Sequence, residues 1–284
     1  MIQEKRQIQK DNLDLKDLTN KHLSIQFSLD GFSFCVLDKS SKTFLALGDY
    51  AFEEKTSHTP QNLLTNIADV FDAQDILKNK FDSVTVSHVN DLSSLVPRSL
   101  FDEKKLSSYV EFNNKIFKHD FYAFDELKNH DMINVYIPFV NVNNFFIDQF
   151  GGFEYKHFST ALVETLFNIY KYSLSPQIFV HICKSHFEIV VISDKKLQLY
   201  NTFKYSTKED FIYYILFTAE QLKMNPEKLE LKLLGNIEKD DELYNIAFKY
   251  IRNVSLLENR SKYKYIDSIT EELKRQYFML FHQF

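Results

Sequence analysis

The sequence predicts an α/β protein built from two copies of one structural unit, and three observations indicate it. Residues 23–110 and 177–252 both read as three strands, a helix, a strand and a helix, with similar spacings. At 284 residues the chain is somewhat longer than one hydrophobic core usually supports. The hydrophobic fraction of 44%, with 28 Phe and 16 Tyr, is ample for an aromatic-rich core. We therefore expect two lobes with a cleft.

The first unit begins with a predicted hairpin. Residues 23–29 alternate apolar and polar side chains, which is typical of a strand with one buried face. Asp30 and Gly31 then precede a second apolar run, and this pair predicts a two-residue turn with positive φ at both positions. The remaining predicted elements are a strand over 32–38, a strand over 43–52, a helix opened by Pro60, a strand over 83–89 and a helix over 101–110.

The second unit repeats this order later in the chain. Lys184 and Ser185 form its first predicted turn, and Ser206 with Glu209 predicts a capping box at the start of a helix. The other predicted elements of this unit are strands over 178–183, 186–192, 197–205 and 229–234, and a helix over 243–250. Between the units we expect strands over 121–124 and 133–140, a turn at Gly151-Gly152, a short strand and a helix over 159–172.

These elements divide the chain into five parts. They are a polar N-terminal tail (1–20), a first lobe (21–158), a connecting helix (159–176), a second lobe (177–257) and a C-terminal segment (258–284). That last segment carries a helix over about 267–281, which we expect to pack on the first lobe. The tail lacks the apolar centre of a signal peptide, and no segment approaches the ~20 apolar residues of a membrane span. A cytoplasmic location without membrane insertion is expected.

Two successive units of this kind resemble the duplicated core of the actin, sugar-kinase and Hsp70 superfamily, a ribonuclease H-like architecture. Five segments also resemble a bacterial family of unknown function with an actin-like ATPase fold: 23–38, 95–101, 152–157, 199–214 and 233–236. The fourth segment is the most specific. It is also similar to cytoplasmic actin-like proteins of pilus-assembly and secretion machines. The resemblance covers most of residues 20–258, and it implies the fold but no activity.

The superfamily binds phosphates with glycine-containing hairpin turns, and the first of them carries an Asp-x-Gly pattern. On the closest alignment, Ser28 occupies the position of the aspartate and Asp30 that of the glycine. A shift by two residues places Asp30 in the acidic position but leaves Phe32 in place of the glycine. Neither alignment restores the pattern, so the resemblance implies an altered first phosphate turn.

The other two nucleotide-binding loops of the superfamily are also altered. The second phosphate turn falls on Lys184 and Ser185 and has neither glycine nor acid, and the paired glycines of the adenosine loop are reduced to Gly235 and Asn236. A turn that carries Cβ atoms cannot close on a triphosphate without clashes. We expect no cofactor and no catalytic residue, with ATP and magnesium as the alternative. The candidate cleft residues are Ser28, Asp30, Gly31, Lys184, Ser185, Gly235 and Asn236.

Two further patterns resemble a metal site and a nucleic-acid site, and a structural role is favoured for each. His181, Cys183 and His186 offer three metal ligands, but the pattern shows no fourth, so a core histidine and thiol is favoured. Cys35 and Cys183 are interpreted as two reduced core thiols. Arg260, Lys262 and Lys264 alternate with Tyr263 and Tyr265, a pattern that can bind single-stranded nucleic acid. The net charge of −5 favours a solvated face instead.

Three functional hypotheses follow. The first is a degenerate actin-like protein, a pseudo-ATPase that acts without catalysis as an interaction or scaffold module for an unknown protein partner. The second is an atypical ATPase or small-molecule kinase that uses Asp30, Lys184 and Asn236 in place of the usual groups. The third is an RNA-associated protein that uses residues 260–265.

Overall fold

The structure is a computed structural model. The chain forms two compact units. The structure describes residues 2–11, 13, 18–52, 59–112, 114–117, 120–127, 130–173, 175–258 and 261–284. The first unit comprises Met1–Leu162, Ser261–Ile269 and Met279–Phe284, and the second comprises Val163–Arg260 and Thr270–Phe278. This division differs from the expected domain bounds, because the C-terminal segment contributes to both units.

Fifteen strands and seven α-helices lie in the described ranges. The strands are β1 (Ile2–Gln9), β2 (Lys21–Ser28), β3 (Gly31–Asp38), β4 (Thr43–Phe52), β5 (Ser83–His88), β6 (Ser93–Pro97), β7 (Ala123–Leu127), β8 (Met132–Tyr136), β9 (Glu154–His157), β10 (Gln177–Ile182), β11 (His186–Ser193), β12 (Lys196–Lys204), β13 (Glu230–Gly235), β14 (Asn253–Leu256) and β15 (Lys264–Tyr265). The helices are α1 (Pro60–Ala73), α2 (Leu106–Glu111), α3 (Val140–Phe150), α4 (Phe158–Tyr170), α5 (Lys208–Gln221), α6 (Glu242–Tyr250) and α7 (Glu271–Gln276). Short 3-10 turns lie at Asp75–Lys78, Arg98–Leu100, Glu103–Lys105 and Leu280–His282.

The main sheet of the first unit has the strand order β1-β4-β3-β2-β5-β9, with β15 beside β4. Strands β2, β3 and β4 form an antiparallel meander, whereas β5 pairs parallel with β2 and β9 pairs parallel with β5. The sheet and helices α1 and α3 share one core, which includes the buried residues Phe27, Phe34, Ile67, Val70 and Phe146. The alternating apolar residues of β2 contact this core as predicted, but His22 and Ser24 are buried as well, so both faces of the strand are covered rather than one.

The sheet of the second unit repeats this topology. Its strand order is β12-β11-β10-β13-β14. Strands β10, β11 and β12 form an antiparallel meander, whereas β13 pairs parallel with β10 and β14 pairs parallel with β13. Helix α5 connects β12 to β13, as α1 connects β4 to β5. The core of this unit includes Val180, Phe187, Phe211, Ile215 and Leu231. The predicted duplication is therefore confirmed.

The second helix of the first unit lies elsewhere than predicted. Only α2 and the 3-10 turn Glu103–Lys105 form within the predicted range 101–110, and α2 packs on a separate three-stranded sheet of order β6-β8-β7. The topological counterpart of α6 is α3, because α3 precedes β9 as α6 precedes β14. The strand predicted over 133–140 ends at Tyr136, and α3 begins at Val140. Residues 93–136 are thus an insertion into the repeated unit.

The N-terminal segment is not only a polar tail. Strand β1 pairs antiparallel with β4, with Ile2 opposite Phe52 and Ile8 opposite Leu47. Most side chains of β1 are exposed, which is why the composition suggested a tail. The strand forms because the edge of β4 offers unpaired backbone groups.

The C-terminal segment returns to the first unit by its last residues rather than by a long helix. Helix α7 is short and belongs to the second unit, whereas residues 279–284 belong to the first. There the Phe281 ring lies 4.7 Å from the Phe44 ring. The side-chain amide of Gln283 donates to the carbonyl oxygen of Ile25 (2.8 Å) and accepts from the Ser87 hydroxyl. In the described part of the chain, no helix is long and apolar enough to cross a membrane.

The capping box of α5 lies one residue beyond the predicted position. The Thr207 hydroxyl accepts from the Asp210 amide (3.1 Å), and the Asp210 carboxylate accepts from the Thr207 amide (3.0 Å). Ser206 and Glu209 were the predicted pair. Both pairs have the spacing that the motif requires, and the reciprocal bonds decide between them.

Candidate functional site

The first predicted phosphate turn connects β2 to β3. Ser28 pairs with Gly31 across the hairpin, so the turn residues are Leu29 and Asp30 rather than Asp30 and Gly31. None of these residues has positive φ, which contradicts the predicted turn conformation. Gly31 is required for another reason: a Cβ atom there would lie 2.7 Å from the carbonyl oxygen of Tyr50 on the neighbouring strand.

The polar groups of this turn bond to one another. The Ser28 hydroxyl accepts a hydrogen bond from the Asp30 amide (3.1 Å), and the Asp30 carbonyl accepts from the Phe52 amide (2.8 Å). Asp30 itself is exposed. The Ser28 hydroxyl therefore stabilises the turn locally, as serine side chains commonly do at such positions.

The other four predicted residues meet at one end of the second-unit sheet. Lys184 and Ser185 are exposed at the turn between β10 and β11. Gly235 ends β13 opposite Ile182, and the Asn236 amide donates to the Ile182 carbonyl (2.8 Å). The structure thus brings these four residues to the same end of the second-unit sheet, whereas Ser28, Asp30 and Gly31 belong to the first unit.

Gly235 is fixed by the close approach of two strands. Its φ is +86°, and a Cβ atom would lie 2.5 Å from the carbonyl oxygen and 2.9 Å from the amide nitrogen of Ile182. Only glycine adopts this conformation at so short a distance without strain. Both glycines that remain in the predicted loops are therefore explained by packing within their own sheets.

A cluster of metal-ligating side chains lies beside the Lys184-Ser185 turn. The register of β10 and β11 places His181 directly opposite Glu188, and His181 Nδ1 lies 2.8 Å from Glu188 Oε2. Nε2 of His186 lies 3.3 Å from the other carboxylate oxygen, Oε1. Cys183 Sγ lies 3.6 Å from His181 Nδ1. The structure confirms His181 as a buried histidine, but Cys183 is only half-buried rather than a core thiol.

Glu188 is the residue that the sequence analysis missed. Its side chain is 4% exposed. Burial by itself raises the pKa of this carboxyl, but the hydrogen bonds with His181 and His186 outweigh it and lower the pKa to about 2. A two-residue turn at Lys184 and Ser185 already implies that residue 181 faces residue 188, so the predicted hairpin contained the signal.

A hydrogen-bonded network of Ser159, His157 and Asn90 resembles a catalytic triad but is closed to substrate. His157 Nδ1 lies 2.7 Å from the Ser159 hydroxyl, and His157 Nε2 lies 3.2 Å from Asn90 Oδ1. Ser159 is 0% exposed and His157 is 1% exposed. A nucleophile that is not accessible to substrate cannot attack it. This network therefore satisfies the hydrogen bonds of buried polar groups at the start of α4.

The basic and aromatic segment is engaged in packing. Arg260 lies outside the described residues. The rings of Tyr263 and Tyr265 lie 5.9 and 5.0 Å from the Phe44 ring, within the first unit. Rings that pack on the protein are not a free platform for bases, and this disfavours the nucleic-acid hypothesis.

Two sheets of the same order, each with a three-stranded meander and a parallel crossover, define the class of actin-like ATPase folds. A crystal structure of a Bacteroides thetaiotaomicron protein with an actin-like ATPase fold and unknown function is similar, with a TM-score of 0.77 and 24% identity. The match covers 86% of this chain and 93% of that chain. The PilM–PilN type IV pilus biogenesis complex is also similar, with a TM-score of 0.61 and 10% identity, covering 92% and 97% respectively. The predicted fold class is confirmed.

The chain belongs to the protein family of unknown function DUF3822, which matches residues 10–254. The resemblance to a domain family with an actin-like fold is thereby confirmed. No curated protein matches the sequence.

Proposed function

We propose that this protein is a pseudo-ATPase: an actin-like framework that acts as a protein-interaction or scaffold module and does not hydrolyse ATP. The observation that carries the proposal is the state of the nucleotide loops. The two glycines that remain in them, Gly31 and Gly235, are each required by a backbone oxygen at 2.7 and 2.5 Å within their own sheet. Neither glycine provides space for a phosphate.

The backbone donors of these loops support the same proposal. Actin-like phosphate turns bind oxygen atoms through free backbone N–H groups. Here the Asp30 amide donates to the Ser28 hydroxyl, and the Asn236 amide donates to the Ile182 carbonyl. A phosphate would have to replace these intramolecular bonds, and the second turn carries two exposed side chains, Lys184 and Ser185, in place of glycine.

We expect neither turnover nor stabilisation by nucleotide. A ligand present at 100 times its dissociation constant stabilises a protein by about 2.7 kcal/mol, which shifts the melting temperature by several degrees. The purified protein is therefore heated with and without ATP or ADP and magnesium, and phosphate release is measured in parallel. An active actin-like ATPase in the same buffer is the positive control. A magnesium-dependent shift of several degrees would contradict the proposal.

A magnesium-dependent shift of the melting temperature would favour the hypothesis of an atypical ATPase or kinase. In that case Asp30→Ala abolishes turnover and leaves the melting temperature nearly unchanged, because Asp30 is exposed. If turnover survives this substitution, the assignment of Asp30 is wrong as well.

Exposed aromatic rings on α5 and α6 support the interaction role. Tyr213 (59% exposed) stacks on Phe217 (42%) along α5, and Phe248 (61%) and Tyr250 (49%) lie on α6. Exposed aromatic residues of this kind are typical of protein-binding surfaces. One of the similar structures, PilM–PilN, is itself a protein–protein complex. Residues 213, 217, 248 and 250 are called the aromatic patch below.

A photo-crosslinking amino acid tests the aromatic patch in cells. It replaces Phe217 or Phe248, and in a control variant it replaces Tyr172, which is 81% exposed but outside the patch. We expect a discrete crosslinked adduct from the two patch positions and none from the control. Equal crosslinking from all three positions, or none from the patch, would contradict the assignment.

A further inference from the structure

We propose that His181, Cys183 and Glu188 bind a zinc-type transition-metal ion, a site that goes beyond the proposed scaffold function. Nδ1 of His181, Sγ of Cys183 and a carboxylate oxygen of Glu188 all lie within 4.8 Å of one another. The three residues stand on two adjacent strands of the second-unit sheet.

One of the donor separations already suits tetrahedral coordination, and a second has to change. Ligands at zinc bond lengths of about 2.0 to 2.3 Å are about 3.3 to 3.7 Å apart in a tetrahedron. The Cys183 Sγ to His181 Nδ1 distance is 3.6 Å. The 2.8 Å distance between His181 Nδ1 and Glu188 Oε2 is that of a hydrogen bond, and it has to widen by about half an ångström when the ion replaces the proton.

The same contacts exclude a Cys-His-acid catalytic triad. In a triad the two ring nitrogens of the histidine have different partners, so that a proton can pass from the nucleophile to the ring while the acid orients it. Here Cys183 and Glu188 both approach Nδ1 of His181. Three donor atoms that lie within 4.8 Å of one another form a ligand cluster rather than a proton relay.

The donor set selects the metal. Thiolate and imidazole ligands suit zinc and its neighbours, whereas magnesium and calcium prefer oxygen ligands. The site is therefore not the magnesium site of an ATPase, although it lies beside the second phosphate turn. When the ion binds, the thiol of Cys183 loses its proton, and the Nδ1 proton of His181 leaves or moves to Nε2. Three protein ligands leave one position for water or for a donor from outside.

The surroundings hold the ligands in place. All three residues belong to or directly flank strands β10 and β11, and the Cys183 amide donates to the His186 carbonyl (2.9 Å) at the hairpin end. His186 contacts Oε1 of Glu188, the oxygen that does not face His181. Such contacts to a ligating carboxylate orient it and raise metal affinity. His181 and Glu188 are buried, whereas the half-buried Cys183 provides the accessible side of the site.

Cobalt(II) and zinc(II) titrations of the full-length, chelator-treated protein test the proposal. We expect one ion per chain, a thiolate-to-cobalt charge-transfer band that zinc abolishes, and a higher melting temperature with zinc. Cys183→Ala should lose the band, and Glu188→Gln, which retains a hydrogen-bonding side chain, should weaken zinc binding. His186→Asn should weaken it by about 10-fold, as expected for a residue that orients a ligand.

Cys35→Ala is the matched control, because Cys35 is the other cysteine of the chain and is buried in the first unit. The charge-transfer band should persist in this variant. Circular dichroism establishes that each variant is folded before titration. Absence of the band in the wild-type protein, its persistence in Cys183→Ala, or its loss in Cys35→Ala would overturn the proposal.

Discussion

Glu188→Ala is expected to destabilise the metal-free protein by about 3 to 5 kcal/mol. The substitution leaves His181 and its neighbourhood without the buried carboxylate that bonds to His181 and His186, and breaking a buried pair in this way is costly. Chemical denaturation in the presence of a chelator measures the change in the free energy of unfolding.

Glu242→Ala provides the control in the same unit. The Glu242 side chain is 79% exposed, and it lies 3.5 Å from Lys208. An exposed ion pair contributes about 0 to 1 kcal/mol, so this variant should be nearly as stable as the wild type. Equal stability of the two variants would show that the contacts of Glu188 do not stabilise the unit.

The same carboxylate gives the stability a dependence on pH. The pKa of Glu188 is about 2 in the folded protein, against an ordinary value of 4.5. A lowered folded-state pKa means that the unfolded state binds the proton more readily, so the contribution is present above pH 4.5 and is lost as the pH falls toward 2. This contribution to stability is about 3 kcal/mol. The metal-free Glu188→Gln variant should not lose stability in this way as the pH falls from 4.5 toward 2.

Gly235→Ala is expected to destabilise the protein by about 3 kcal/mol or more. The new Cβ atom would lie 2.5 Å from the Ile182 carbonyl oxygen, and the φ of +86° is strained for alanine. The Cβ atom would also lie 2.9 Å from the Ile182 amide nitrogen. Because both contacts are with backbone atoms of β10, the pairing of β10 with β13 has to shift. Thermal and chemical unfolding of the purified variant measure the loss.

Gly151→Ala separates the clash from the backbone strain. Gly151 has a similar φ of +79°, but nothing lies within 4 Å of its Cβ position. Its substitution should cost only the strain of this backbone conformation (φ +79°, ψ −65°), about 1 to 3 kcal/mol. If the two alanine variants are equally stable, the packing explanation for Gly235 is wrong, and the pseudo-ATPase proposal loses its support at this glycine.

The repeated unit could be predicted because its signals are local. Alternating side chains define β2, an apolar run defines β3, and a proline opens α1. Helix α3 is missing from the sequence prediction, because the predicted strand over 133–140 reaches only its first residue, Val140, and no element is predicted over 141–150. The spacing of Val142 and Phe146 and the position of Gly151 after the last turn were the available signals.

The sequence alone determined the duplicated α/β architecture, the absence of the actin-like glycine pattern from its hairpin turns, and the hairpin that aligns His181 with Glu188. Each depends on residues that are neighbours in the chain or lie across one short turn. Only the tertiary structure decided that β1 joins β4, that Tyr50 and Ile182 occupy the space beside Gly31 and Gly235, and that Glu188 is buried between two histidines. Those outcomes depend on strand pairing and on the burial of side chains by distant segments, and local patterns do not encode either.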